Sequence, residues 1–442
     1  MAIAKLLQNK AAVAAMSVGV LIAAGMFIYQ ASHPPCCDAD QYLNLSQLYA
    51  TSDISARSNE ASLRTYAYPL FLSYLRALVS FTNLPLILLV SLAQLAIHLF
   101  ATAKYATGIR SDSSIIGSAV LVALLLNPFA YPYVSLTLTD SLYSSLVLLW
   151  LYAAVCAFSN VDRDSTGNLL LAVAPALLSS LIIAVRPAGV WTVAVTAAGY
   201  LYVMGCKLKS HGDRLTLAAL ATTAFTAPLL PQIYINLANY NRLTPFPVFN
   251  LGSAQIQWGI EMLKYATNLG GGDPRLVYAN PLYSAGQGLS WYWDNPIKAA
   301  ATLLLKFTSA FDQDYLFPYV YDLRPWYRWL TGIFSLLIFS LGILGMACHA
   351  LIPSRFPIKI GPRYLPLACL MAWSAVTLTA AIELRFSLPM YALLIPCAIG
   401  YALFALRLET RHLRTVAALV GAVVFASAIG MAWYVRLQNP HY

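Results

Sequence analysis

The chain has 442 residues, 60% of them apolar and only 10% charged, with a mean hydropathy of +0.66. Soluble domains run near 45–50% apolar and about 25% charged, so this excess excludes a water-soluble enzyme, a disordered chain and a single-span receptor. The formal charge of +10, from 27 Lys and Arg against 17 Asp and Glu, is read through membrane topology, and no nucleic-acid partner is expected.

About 20 apolar residues cross a hydrocarbon core. Apolar runs between charged punctuation predict eleven helices, at 11–30, 84–103, 113–129, 137–158, 168–185, 187–205, 215–235, 328–350, 364–382, 386–406 and 413–434. The fold class is therefore an all-α polytopic membrane protein, a single integral membrane domain over 1–442. The first run is long and lacks a small-residue cleavage site, so it reads as a retained helix, not a signal peptide. About half of the basic residues fall in the short segments 1–10, 104–112, 159–167, 206–214, 351–363 and 407–414. Short-loop positive bias then puts the N-terminus inside and the C-terminus outside.

Two long segments lie on the outer side in this topology, 31–83 and 236–327. Both read as reentrant or interface-lying caps, with Trp and Tyr at headgroup level and an amphipathic stretch over Tyr66–Phe81. No internal repeat or low-complexity tract is found, which counts against many transporter folds. Of the seven cysteines, none has metal-type spacing. Cys36 and Cys37 are adjacent, a strained geometry for a disulfide, and read as free thiols.

Most of the acids fall outside, and these carry the chemistry. If 38–50 is helical, Asp38 and Tyr42 lie one turn apart on one face. A carboxylate there can take a proton from a hydroxyl, and a second, Asp40 or Asp140, can hold a divalent cation. Asp is also a favoured helix N-cap, which is the alternative for the Asp38 segment and for Asp140. Arg64, Arg186 and Arg385 stand at outer helix edges, where a guanidinium fork fits phosphate oxygens. The alternatives are snorkelling to headgroups and, for Arg385, pairing with Glu383. Lys298 and Lys306 are two helical turns apart and could share a face; Asp312 and Asp314 follow them. His98 and His349, in apolar runs without ligand-spaced partners, read as structural.

The order and sidedness of these motifs resemble the membrane-embedded glycosyltransferases of the GT-C fold. Among these it resembles bacterial relatives of the protein O-mannosyltransferases and of the aminoarabinose transferase acting on lipid A. The resemblance rests on Asp38-x-x-x-Tyr42, on Arg64-x-x-x-Tyr68-Pro69, and on Asp140 in the next outer loop. Val185-Arg186-Pro187-Ala188-Gly189 and Glu383-Leu384-Arg385-Phe386-Ser387-Leu388-Pro389 complete it. The family pattern places its key acid four residues before the Tyr, at Asp38; where some members follow that Asp with Glu, this chain has Ala39 and then Asp40.

The resemblance implies an inverting transfer of a sugar from a polyprenyl-phosphate donor, such as undecaprenyl phosphate, to a hydroxyl of a glycan or glycolipid. It implies catalytic Asp38, Asp40 and Asp140, also the residues for an Mg2+ or Mn2+ ion. Tyr42, Arg64, Tyr68, Arg186, Glu383, Arg385, Lys298 and Lys306 would bind substrate. The setting would be a bacterial inner membrane with a periplasmic active site, acting on the cell envelope and its lipopolysaccharide. Two competing readings are an O-antigen polymerase or ligase, for which Arg324 and Arg328 would matter, and a transporter of lipid-linked sugars.

Overall fold

The computed structural model describes residues 10–31, 38–52, 54–55, 58–160, 166–208, 210–249, 255–256, 262–266, 276–279, 289–314, 325–380 and 382–437. The described chain is almost wholly helical, and it separates into two compact units. Eight helical stretches are long and apolar enough to cross a membrane. The architecture is that of an all-α polytopic membrane protein. Two further apolar helices, Ser114–Leu125 and Leu365–Thr377, are shorter, and Ala172–Val185 is the fully described part of another, Thr166–Val185. The eleven predicted segments each meet a helix, and eight of these have spanning length within the described residues; Asn127-Pro128 follows the 113–129 run's early stop at Leu125.

The first unit takes in Met1–Arg110, Gly117–Asn250 and Ile360–Leu365. It contains α1 (Lys10–Ala31), α2 (Asp38–Thr51), α3 (Asn59–Leu63), α4 (Ala67–Thr82) and α5 (Leu86–Gly108). These are followed by α6 (Ser114–Leu125, whose first residues belong to the second unit), α7 (Tyr131–Val134), α8 (Thr139–Asn160) and α9 (Thr166–Val185). A 3-10 turn, Pro187–Val190, then leads into α10 (Trp191–Cys206), and α11 (His211–Thr226) and α12 (Leu230–Tyr240) close the unit. Asn83 and Asn241 end α4 and α12 in left-handed backbone, at φ 55° and 51°; Asn is among the few residues that adopt it readily.

The segments around α2–α4 are held by α12. Asn239 Nδ2 donates to the Ser55 carbonyl and the Tyr240 hydroxyl to that of Ser58, both at 2.8 Å. The Tyr66 amide donates to Gln232 Oε1 at 2.9 Å, and Asn236 Nδ2 gathers the carbonyls of Thr244 and Phe246. Beneath these bonds Leu45, Tyr49, Ala61, Tyr66, Ala184 and Ile235 form one apolar core. On α4, Arg76 reaches across to α2, donating to Ser46 Oγ at 2.7 Å and the Leu43 carbonyl at 3.1 Å.

The second unit takes in Ser111–Ile116, Leu251–Lys359 and Pro366–Tyr442. Strands Met262–Ala266 and Leu276–Ala279 pair antiparallel, with Tyr265 opposite Val277. After them come α13 (Ser290–Asp294), α14 (Pro296–Ser309), α15 (Pro325–Leu351), α16 (Leu365–Thr377, whose first residue belongs to the first unit), α17 (Tyr391–Leu406) and α18 (Arg411–Leu437). Helices α15 and α17 approach closely because Gly342 and Gly345 present no side chain. A Cβ at Gly345 would sit 2.0 Å from the Cys397 carbonyl oxygen, and one at Gly342 would sit 2.7 Å from Leu394 Cδ2. Small residues permit this kind of backbone approach between apolar helices.

Candidate functional site

Helix α2 begins at Asp38, and its buried side carries Ala39, Tyr42, Leu45 and Tyr49. Asp38 and Tyr42 are one turn apart. They meet the same side chain: Arg64, at the end of α3, bonds the Asp38 carboxylate. Its Nε donates to Gln41 Oε1 at 2.8 Å, and its guanidinium carbon lies 5.1 Å from the centre of the Tyr42 ring. A charged planar group over an aromatic face is attractive in its own right. One arginine therefore fixes three residues from the first two turns of α2.

Asp140 lies in the first turn of α8 and is fully buried. Its carboxylate bonds Arg186, which precedes the 3-10 turn after α9. The Arg186 guanidinium stands 5.6 Å from the ring of Tyr143, and Tyr143 in turn accepts from Trp191 Nε1 at 3.0 Å. The two acid–arginine pairs share one neighbourhood. Thr65, next to Arg64, donates its hydroxyl to the carbonyl of Val185, next to Arg186, at 3.2 Å. Tyr68 supplies a second link, its ring 5.1 Å from that of Tyr42 in an edge-to-face contact. Burial, then the neighbouring Tyr42, then the Asp140 charge push the Tyr68 hydroxyl well above its ordinary range. It stays protonated and donates to Gln94 Oε1 at 3.2 Å. Gln94 Nε2 holds the carbonyls of Val134 and Leu136, just ahead of α8.

Asp38, Tyr42, Arg64, Tyr68, Asp140 and Arg186, all singled out from the sequence, thus form one connected cluster within the first unit. Asp40 does not join it. Two residues along a helix turn about 200°, and Asp40 is exposed on the far side of α2. Among the described residues no three of His, Cys, Asp and Glu converge to hold a metal ion. Asp38, Asp40 and Asp140 are not such a group of three.

Sequence reasoning missed Gln41, Thr65, Gln94 and Tyr143, which connect the cluster. Gln94 had a visible signal, as a carboxamide inside an apolar run. Thr65 had none, because its partner is a backbone carbonyl 120 residues away.

The remaining candidates lie in the second unit. Glu383 and Arg385 are both buried and pair at 2.7 Å, the alternative weighed for Arg385. Arg385 sits inside a 3-10 stretch, Leu384–Met390, rather than opening an α-helix. Lys298 and Lys306 do not share an environment: Lys298 is exposed, whereas Lys306 is fully buried and donates to the Ala380 carbonyl at 2.7 Å. Eight residues leave the two side chains about 80° apart around the helix, enough to put one on each side of the packing boundary. Burial pulls the Lys306 amine down to about 7.

Asp312 and Asp314 belong to a group that the sequence did not reveal. With Lys264 on the first strand and Arg436 at the end of α18, they make a fully buried quartet of two acids and two bases. Lys264 Nζ also donates to the Asp312 carbonyl at 3.0 Å, and Arg436 Nε to Asp312 Oδ2 at 3.0 Å. Burial, then the Asp312 charge, raise the Asp314 carboxyl, while Lys264 and Arg436 oppose the rise.

His98 and His349 are buried against Tyr131 and Phe356, as structural histidines. Cys156, Cys206, Cys348, Cys369 and Cys397 are free. Arg328 lies in the first turns of α15; Arg324, Cys36 and Cys37 lie outside the described residues. No protein-family model matches the chain, and no curated protein matches it in sequence.

Proposed function

We propose that the protein is an inverting glycosyltransferase that moves a sugar from a polyprenyl-phosphate donor to a hydroxyl of a cell-envelope glycan or glycolipid. The reading places the reaction at the outer face of a bacterial inner membrane. One observation carries it: two acid–arginine pairs, Asp38–Arg64 and Asp140–Arg186, joined through Thr65–Val185 and Tyr42–Tyr68. The transfer needs a base for a hydroxyl and cations for a departing phosphate, and this cluster contains both.

In the proposed reaction the acceptor oxygen attacks the anomeric carbon, and its proton passes to an Asp38 carboxylate oxygen. The bond from that carbon to the phosphate oxygen breaks on the opposite side, and its electron pair leaves with the polyprenyl phosphate. Arg64 aims the Asp38 carboxylate through the ion pair between them. Arg186, held by Asp140 and Tyr143, offers its positive charge where negative charge develops, the situation in which preorganised electrostatics contributes most. In this mechanism the arginines carry that charge.

The test is transfer from a panel of synthetic polyprenyl-phosphate sugars by purified protein, with wild type beside Asp38→Asn and Asp140→Asn. Wild type should transfer, and Asp38→Asn should lose about a hundred- to ten-thousand-fold in rate, the usual contribution of a general base. Full activity in a folded Asp38→Asn protein would overturn the mechanism. Absence of transfer from every donor by wild type would overturn the class, and polymerase and flippase assays would then separate the other two readings.

A further inference from the structure

Helix α14 has its polarity the wrong way round for a water-exposed helix. Its buried side carries Thr302, Lys306, Thr308 and Ser309. Its outward side carries Ile297 at 85% exposure and Leu304 at 54%, with Ala300 between them. Trp293, in the preceding α13, is likewise 85% exposed. Positions 297, 300 and 304 repeat at three and four residues, the spacing of one helix face. In water such a helix would expose its apolar stripe and bury its hydroxyls, both at a cost.

The second unit also fixes the level at which α14 lies. Helix α14 meets α18 near the end of a stretch long and apolar enough to span a membrane. Leu305 packs with Val435 and Leu263, and Thr308 Oγ1 approaches Met431 Sδ at 3.7 Å. At the same end of α18, Trp433 and Tyr434 are partly exposed, and Trp433 contacts Trp329 of α15 with ring centres 5.0 Å apart. Trp and Tyr gather at the ends of membrane helices, where an amphipathic ring matches the headgroup boundary. The outward face of α18 below this level is apolar too, with Leu419 and Val423 about 60% exposed. The apolar stripe of α14 therefore belongs to a helix packed on α18, whose own exposed side chains include the apolar Leu419 and Val423.

We propose that α14 is an interfacial helix bound to the bilayer surface, with Trp293, Ile297, Ala300 and Leu304 in the acyl-chain boundary and Lys298 at the lipid headgroups. The occupant of this face is lipid. A second protein is disfavoured by the packing of α14 on α18, a helix long and apolar enough to span a membrane. Lys298, beside the stripe and exposed, matches the cationic flank that interfacial helices present to anionic lipid. The inference does not depend on the glycosyltransferase reading; it needs only the membrane-spanning helices.

The experiment uses the unaltered chain in liposomes of phosphatidylcholine and phosphatidylglycerol. A phospholipid with a diazirine in its acyl chain labels residues from the hydrocarbon side, and hydroxyl radicals label them from the water side; peptides are then mapped by mass spectrometry. Diazirine adducts at Ile297 and Leu304, as frequent as those at Leu419 on α18 and several-fold above those at exposed Glu409, are the expected result. Hydroxyl radicals should spare both positions. Oxidation of Ile297 and Leu304 from water without lipid adducts would overturn the proposal. Silence towards both reagents would overturn it equally, because another copy or another protein would then cover the face.

Discussion

The two units each bring together two acids and two bases, and they do so differently. In the first unit, Asp38 and Arg64 keep 23% and 15% of their side-chain surfaces exposed, and Arg186 keeps 13%; only Asp140 is sealed. In the second, no member of the Lys264–Asp312–Asp314–Arg436 quartet exceeds 7%. Each quartet member is bridged to acids or bases from distant parts of the chain. The quartet is closed, whereas the first cluster is linked by pairs and remains reachable at one end. Charges kept accessible are available to a ligand; charges sealed against one another secure the backbone that carries them. The same residue types therefore predict opposite experimental signatures.

The sharpest contrast is between Asp38→Asn and Arg436→Met. The first should abolish transfer, by about two to four orders of magnitude, while the thermal midpoint in detergent stays close to wild type. The second removes one base from a buried quartet and leaves Asp312 and Asp314 to share Lys264 alone. Breaking a buried ion pair in this way costs about 3–5 kcal/mol, so the unfolding midpoint should fall sharply and any activity should fall with it. Equal loss of stability in both variants would erase the distinction between an accessible site and a closed one.

A double variant sharpens the same point. Arg436→Met with Asp312→Asn removes one charge of each sign and leaves Lys264 with Asp314. If the penalty arises from the orphaned charge, the double variant should be more stable than Arg436→Met alone, a coupling that a thermodynamic cycle measures directly. Additive losses would mean that packing around Trp329 and Gly332 dominates, since Gly332 lies so close that a Cβ there would stand 2.6 Å from Arg436 Nη2.

Lys306 provides a pH test within the second unit. Burial holds its folded-state value at about 7, below about 10.4 for an unfolded lysine. Between these values the unfolded chain binds more protons than the folded one, so this residue makes stability rise with pH across that window, by at most about 1.4 kcal/mol per pH unit. Below about pH 7 both states are protonated and the slope vanishes. Because other groups titrate too, the measurement is the difference between wild type and Lys306→Met in unfolding free energy from pH 6 to 10. A difference that does not change with pH would remove the buried-amine account.

The first cluster was largely legible in the sequence because its members sit at helix edges, where charge interrupts an apolar run. Asp38 and Tyr42 could be paired from helical spacing alone, and Arg64 and Arg186 stood out as isolated cations. The pairing itself was not legible: which arginine meets which acid depends on the Thr65–Val185 and Tyr66–Gln232 bonds, each across more than a hundred residues. Asp40 was grouped with Asp38 by closeness in sequence, whereas helix geometry puts it on a different, exposed side of α2. The quartet was hidden for another reason. Lys264 and Arg436 look like ordinary surface cations, and their burial comes only from the packing of α14, α15 and α18. Helix positions followed hydropathy closely, but spanning length did not, because the breaks after Leu125 and Thr377 are set by local turns inside otherwise apolar sequence.

The smallest predicted effect comes from the other lysine of α14. Lys298 is exposed, and an exposed cation forms weak, screened contacts. Lys298→Ala should leave both the unfolding midpoint and the transfer rate at wild-type values, in contrast to Lys306→Met on the same helix. The two substitutions remove the same charge from positions two turns apart, so protein environment is the main variable that differs. A loss of transfer in Lys298→Ala, with the fold intact, would return this residue to the substrate-binding set and show that the first cluster is not the whole site. An unchanged rate would keep substrate recognition with Asp38, Arg64, Asp140 and Arg186, and leave Lys298 to the lipid.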